Sequence, residues 1–295
     1  MNTAIWAATR QLEGAGWRVL GVRGGFTGLL RGDFATLEPS EALRFARYGG
    51  TFLGTSRDPD FDSKIPEAIA SLERAGATHL LVLGGNGSLR GAAALAAVGF
   101  PVVGLPATID NDVAGSDDSI GFDTAANFGL TMLDAFRDTL EALPRLCALE
   151  TLGGDSGFLA ERIGRVGGAD VVLVPEIDVS LDQLEMAARS GITQRGFAVI
   201  VACEGVPNLE TTLNDLSERL GTRLRFSRPS HAMRGGKPSA HDRNLAFDLA
   251  LAGVDALARG QTGVIAWCAG AAKQIAFDQI PVRKRFERSS TFIPS

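Results

Sequence analysis

With 295 residues, 45% of them apolar, the chain has length for about two domains, each with a core of its own. Its net charge is −5 with acidic and basic side chains interspersed, which excludes a general nucleic-acid or polyanion surface and leaves local arginine clusters as phosphate sites. The basic residues are 25 Arg against 4 Lys, a bias assigned mainly to base composition, and the basic stretch at 283–288 reads as a solvated face.

The first expectations concern compartment. Cys147, Cys203 and Cys268 stand far apart, each in an apolar run, and read as free thiols of a reducing compartment. No apolar run reaches the ~18–20 residues of a membrane span, and Met1 opens onto no basic leader. A soluble, cytoplasmic protein with no membrane partner is expected.

In chain order, short continuous apolar runs predict strands at 17–22, 79–83, 101–105, 146–149, 170–174, 197–203 and 264–268. They lack period-two alternation, so both faces of each strand should be covered. Helical patterns closed by glycine lie between them, at 66–75 before Gly76, 88–98 before Gly99, 209–220 before Gly221 and 240–258 before Gly260. The longest pattern, 125–143, places Phe128, Met132, Leu133, Phe136, Leu140 and Leu143 on one stripe. Such alternation predicts parallel α/β architecture with ligands at the C-terminal ends of strands. No fixed-period repeat and no low-complexity linker is present.

Two of these strands run directly into chemistry-bearing segments. The first is Gly84-Gly85-Asn86-Gly87-Ser88, where glycines let backbone N–H groups approach a phosphate and a helix N-terminus follows, with Ser88 expected as its N-cap. A tight turn without a ligand needs the same small residues. The segment is neither a Walker A loop nor, with Gly85, Gly87 and Gly91, the dinucleotide fingerprint. The second runs from Gly104 to Asp112, with Thr108-Ile109-Asp110-Asn111-Asp112 at its end. Carboxylates at 110 and 112 can divide proton acceptance from the organisation of a metal or hydrogen-bond network. An Asx-rich turn is the alternative, although it leaves Thr-Ile-Asp beside an apolar strand unexplained.

Pro106-Ala107-Thr108-Ile109-Asp110-Asn111-Asp112, followed by Ser119-Ile120-Gly121-Phe122-Asp123-Thr124-Ala125, resembles the signature of the phosphofructokinase family. Gly49 to Arg57, Gly84 to Ser88, Val174-Pro175-Glu176 and Arg234-Gly235-Gly236 with Asp242-Arg243 fall in the family's order, so the resemblance extends to about residue 275. It implies two Rossmann-like three-layer α/β/α domains with mainly parallel sheets and an active site in the interdomain cleft. The nucleotide-binding domain would take 1–122 plus 234–283, and the sugar-phosphate-binding domain 123–233 plus 284–295. The implied reaction is ATP-dependent phosphorylation of fructose 6-phosphate with Mg2+. By resemblance Asp110 is the base, with Thr108 and Asp112 positioning the reacting groups. Arg57, Gly85, Asn86, Gly87 and Ser88 meet the nucleotide, and Arg145, Glu204, Arg225, His231 and Arg234 meet the sugar phosphate. The counterparts of Arg145 and Arg225 reach across from a neighbouring subunit, which implies a homo-oligomer, dimer or tetramer. Gly87 and Ala107 match ATP users better than pyrophosphate users.

The chain also departs from the family pattern. The family places a strand and a Gly-Gly-Asp-x-x-Gly loop just before Met-Asn-x-Ala-Ile, whereas this sequence opens at that point with Met1-Asn2-Thr3-Ala4-Ile5. Either the start lies upstream or part of the nucleotide site is gone. Asn86 replaces an aspartate, leaving a weaker metal ligand, and Leu152-Gly153-Gly154 replaces Met-Gly-Arg, removing a cation near the transferring phosphoryl. Arg10 and Arg137 match effector-site arginines, but Gln194-Arg195-Gly196-Phe197 lacks the expected lysine pair, so allosteric control of the usual kind is not expected. Three readings follow: an active kinase, a catalytically silent homologue that binds sugar phosphate, or a kinase of the related NAD or lipid type.

Overall fold

The structure, a computed structural model, describes residues 1–56, 58–280 and 284–286; Arg57 and residues 283, 287 and 288 of the basic stretch lie outside the described residues. In chain order the first elements are α1 (Asn2–Gly14), β1 (Leu20–Val22), α2 (Gly25–Arg31), β2 (Phe34–Thr36), α3 (Pro39–Ala46), α4 (Ile65–Ala75), β3 (Leu80–Gly84), α5 (Asn86–Ala97) and β4 (Val102–Pro106). Then follow α6 (Phe122–Ala142), β5 (Leu146–Thr151), α7 (Phe158–Val166), β6 (Val171–Leu173), α8 (Leu181–Arg195), β7 (Ala198–Cys203), α9 (Leu209–Leu220) and β8 (Leu224–Ser227). The last are α10 (Ala240–Ala258), β9 (Gly263–Cys268) and β10 (Ala271–Ile275).

The chain divides into two compact units. The first comprises Met1–Thr108, Val113–Gly121 and Lys237–Lys284; the second comprises Ile109–Asp112, Phe122–Gly236 and, among the described residues, Arg285 and Phe286. In the first, the sheet order is β10-β9-β4-β3, parallel except for the β10–β9 hairpin. Alternate residues of β4 serve opposite faces. Val103 and Leu105 pack with α1 and α10, whereas Val102 packs with α2, α4 and α5. The second unit repeats this logic on the all-parallel order β6-β7-β5-β8. Cys147, Leu149, Val199 and Val201 meet α6 and α7, and Leu146, Ala148, Ala198 and Ile200 meet α8 and α9. Apolar runs without alternation thus correspond to strands covered on both faces, in an α/β fold with mainly parallel sheets.

Several expectations need correction. The run at 17–22 contributes only three strand residues, and β1 pairs antiparallel with β2 in a separate ribbon. The intervening α2 has seven residues, too short a connection for a parallel crossover. Leu143 falls beyond the end of α6 and is 60% exposed, leaving the stripe to Leu133 and Leu140 in the core with Phe128, Met132 and Phe136 packed against it. Helix 88–98 begins two residues earlier, at Asn86. Gly76 and Gly221 close α4 and α9 in the left-handed conformation, as the glycine positions predict. The helix at 240–258 is α10, with Ser239 Oγ accepting from the Asp242 amide.

β3 ends the first unit's sheet, and beside it lies a cavity of about 450 Å³. Leu81 and Val82 of β3, Leu20 and Val22 of β1, and Met1 and Ile5 at the start of α1 are among its walls. The cavity therefore adjoins both the end strand of the sheet and the β1–β2 ribbon.

Candidate functional site

In the first unit, the glycine loop and the threonine segment lie side by side at the C-terminal ends of β3 and β4. Parallel pairing aligns Gly84 with Pro106, and the Ala107 amide donates to the Gly84 carbonyl at 2.9 Å. Gly85, not Ser88, is the N-cap of α5. Ser88 instead sits in the first helical turn over Gly84, where an added Cβ would come within 2.3 Å of Ser88 Oγ. A Cβ on Gly85 would stand 3.3 Å from Thr108 Cβ, so glycine lets the loop backbone approach Thr108 closely. Asn86 and Ser88 are half-buried and Gly87 is exposed, at a helix start whose first amides have no partner within the helix.

The segment that returns from Val113 to Gly121 is fastened to the same unit. Ile120 N donates to Pro106 O at 3.0 Å, Ser119 Oγ to Thr108 O at 2.6 Å, and Gly121 N to Asp242 Oδ1 at 2.7 Å. Asp242 is 2% exposed and Arg243 Nε donates to the Pro238 carbonyl at 3.0 Å, which gives the Asp-Arg pair a structural task.

In the second unit, Asn111 and Asp112 are buried and Asp110 is half-buried. Asn111 takes a left-handed φ of 53°, a conformation that asparagine tolerates well. Burial pushes the Cys203 thiol up to about 12, opposed by a backbone hydrogen bond from Gly205 and reinforced by the negative charges of Glu204, Glu176 and Asp110. Those three carboxylates therefore gather around the end of β7. Glu204 Oε1 accepts from the amides of Gly153 at 3.3 Å and Gly154 at 2.9 Å. Glu176 accepts from the Gly157 amide at 3.0 and 3.1 Å, at the start of α7, and from Phe286 N at 3.2 Å. Composition and spacing alone do not reveal Glu176 as a loop anchor, although its Val-Pro-Glu motif falls in the family order.

Arg145 is half-buried and donates from Nε to the Leu143 carbonyl at 3.1 Å. Arg225 is exposed on β8 in register with Cys147 of β5, and His231 and Arg234 are exposed on the short 3-10 turn Ser230–Arg234. Among the described residues, none of these four takes part in an ion pair, whereas nearby Arg228 binds both Glu150 and Glu210. The effector-like arginines are engaged internally: Arg10 lies 5.9 Å over the Trp6 ring and Arg137 donates to the Gly168 carbonyl. Arg57 lies outside the described residues. Among the described residues no three His, Cys, Asp or Glu side chains form a metal cage, and no helix is long and apolar enough to cross a membrane.

The phosphofructokinase family model matches residues 1–257. The chain belongs to the phosphofructokinase family. It is 38% identical over 274 residues to ATP-dependent 6-phosphofructokinase 1 of Thermus thermophilus, covering 90% of this chain and 84% of that protein. It is likewise 38% identical over 268 residues to the ATP-dependent 6-phosphofructokinase of Halalkalibacterium halodurans, with 90% and 84% covered. Among solved structures, the phosphofructokinase of Saccharomyces cerevisiae superposes with a TM-score of 0.87 at 27% identity, over 95% of this chain but 43% of that longer chain. A pyrophosphate-dependent phosphofructokinase from Marinobacter aquaeolei shares the fold, with a TM-score of 0.86 at 19% identity over 97% of this chain and 82% of that one.

Proposed function

We propose that the chain is an ATP-dependent 6-phosphofructokinase that transfers the γ-phosphoryl group of ATP to the 1-hydroxyl of fructose 6-phosphate. The observation that carries this reading is the seating of Thr108 against Gly85 at adjoining strand ends, with Asp110 two residues further along the chain. The first unit is the nucleotide side, where Gly85, Asn86, Gly87 and Ser88 present small groups and amides to phosphates. Arg57 belongs to the same side by its place in the motif. The second unit is the sugar-phosphate side.

In the reaction, Asp110 accepts the proton of the sugar 1-hydroxyl as its oxygen bonds to the γ-phosphorus, while the bond from that phosphorus to the bridging oxygen breaks and ADP leaves. Thr108 and Asp112 hold the reacting groups in line, and positioning supplies much of the rate for phosphoryl transfer. Arg145, Arg225, His231 and Arg234 offer charge-assisted donors to the 6-phosphate dianion, with Arg145 and Arg225 acting across a homo-oligomer interface. Glu204 accepts from sugar hydroxyls.

With no three-residue His, Cys, Asp or Glu cage among the described residues, a divalent cation would enter with the nucleotide phosphates. Asn86 would meet Mg2+ through an uncharged amide oxygen. Bound Mg2+ supplies charge neutralisation on the phosphates. A cytoplasmic location accords with this role.

A specific observation favours a second reading. Gly154 stands where the family has arginine, and Glu204 turns onto the Gly153 and Gly154 amides. A silent homologue that binds fructose 6-phosphate would keep the sugar donors and lack this cation. Coupled assay of fructose 1,6-bisphosphate formation with ATP and Mg2+ separates the two. Turnover in the parent chain, abolished in Asp110→Asn, supports the kinase; calorimetric binding of fructose 6-phosphate without turnover supports the silent homologue.

A further inference from the structure

We propose that His241, Asp118 and Ser119 form a positioning relay that sets the backbone of Thr108, an inference that rests on the kinase reading for its catalytic consequence. The carbonyl of Thr108 accepts from Ser119 Oγ at 2.6 Å, and Ser119 is 1% exposed. The Ser119 amide in turn donates to Asp118 Oδ1 at 2.9 Å. The other carboxylate oxygen, Oδ2, faces His241 Nε2 at 2.5 Å, a separation at which the ring nitrogen carries the hydrogen. Contacts therefore run from a half-exposed imidazole in the first turn of α10 to the residue that packs against the glycine loop.

The surrounding bonds explain why this relay is separable from folding. Ser116 Oγ accepts from Trp267 N at 2.9 Å and donates to Asp118 O at 2.7 Å, while Asp117 N donates to Trp267 O at 2.7 Å. The Asp117 carboxylate accepts from Ala269 N at 2.7 Å, and Lys284 Nζ donates to Ser116 O at 3.2 Å. On the other side, Gly121 is held by Asp242 and Ile120 by Pro106. The segment is thus anchored to β9, α10 and the end of β4 without His241. What His241 and Asp118 add is the orientation of Ser119, and Ser119 is the member whose side chain reaches Thr108.

A contact made by a half-exposed imidazole contributes little to global stability, so loss of the imidazole should leave the fold intact. Misplacement of a positioning group by about 1 Å, in contrast, lowers rates by as much as ~10²-fold. His241 and Asp118 touch no reacting atom on this view; they act through Ser119 and Thr108.

The test compares His241→Ala, His241→Gln and Ser119→Ala with the parent, reading kcat, KM, melting temperature and amide exchange at Ser119. The relay predicts a kcat roughly fivefold lower in His241→Ala and ~10- to 100-fold lower in Ser119→Ala, with KM for fructose 6-phosphate within about twofold, melting unchanged in His241→Ala and lowered by a few degrees in Ser119→Ala, where a buried hydrogen bond is lost. His241→Gln, whose amide can donate to the same carboxylate, should recover kcat to within about twofold and slow Ser119 exchange back to the parent rate. Parent-like kcat in both alanine variants overturns the relay, as does a joint fall of kcat and melting temperature that Gln does not rescue. If the parent itself shows no turnover, the kinase reading falls, and the relay is judged by exchange: faster Ser119 exchange in His241→Ala, reversed in His241→Gln, retains it, and unchanged exchange refutes it.

Discussion

Gly154→Arg introduces the arginine that the family pattern carries at this position, and the structure sets the cost of the substitution. Gly154 has φ +58°, in the left-handed region, and a Cβ there meets nothing within 4 Å. The substitution therefore costs backbone strain of about 1–2 kcal/mol without steric clash. At roughly 2–4 °C per kcal/mol for a chain of this order, melting should fall by ~2–8 °C. The new guanidinium would arise beside Glu204, whose Oε1 lies 2.9 Å from the Gly154 amide, at the end of β7 where Asp110 also contributes negative charge. Removing one preorganised donor from such a site commonly lowers the rate by ~10²–10³, about 2.7–4 kcal/mol, and adding it should recover part of that. The expected result in a Mg2+-dependent coupled assay is a kcat at least ~10-fold above the parent despite lower melting. A kcat equal to or below the parent's, with melting inside the stated range, would mean that this position does not limit turnover.

Other consequences follow from the geometry. Gly84→Ala forces a Cβ to within 2.3 Å of Ser88 Oγ, so scanning calorimetry should find a destabilisation of ~1–3 kcal/mol together with weaker ATP binding. The Cys203 thiol ionises near 9.0 when free and at about 12 in the fold, so unfolding releases a proton between those values and stability falls as pH rises above 9.0. Melting followed across that range should decline less steeply in Cys203→Ala. At mildly alkaline pH, iodoacetamide should modify partly exposed Cys268 before buried Cys147 and Cys203, as peptide mapping of the alkylated chain would reveal.

The layers of the fold are legible because burial on both faces writes continuous apolar runs, as in Phe197 to Cys203. Glycine stops at Gly76 and Gly221 likewise mark real helix ends. β10 escaped that logic: Ala-Ala-Lys-Gln-Ile is largely exposed and gains its strand conformation by pairing with β9. β8, at the other unit's edge, has no continuous apolar run for the same reason. Within the site, Thr108 and the glycine loop are readable as motifs because their chemistry is local in sequence. Their adjacency depends on the β3–β4 register, which no single motif encodes. The bonds from Ser119 to Thr108 and from Gly121 to Asp242 were less legible still. Each joins a common residue to a backbone atom, and the second spans 121 positions.

Transfer of label from γ-³²P-ATP to fructose 6-phosphate, with the product identified by the position of the new phosphate, reads the kinase reaction itself. A kinase with Asp110 as base gives Mg2+-dependent label on the 1-position with the parent chain and a loss of ~10²-fold or more in Asp110→Asn. No transfer by the parent under saturating substrates, or equal transfer by Asp110→Asn, would contradict that reading.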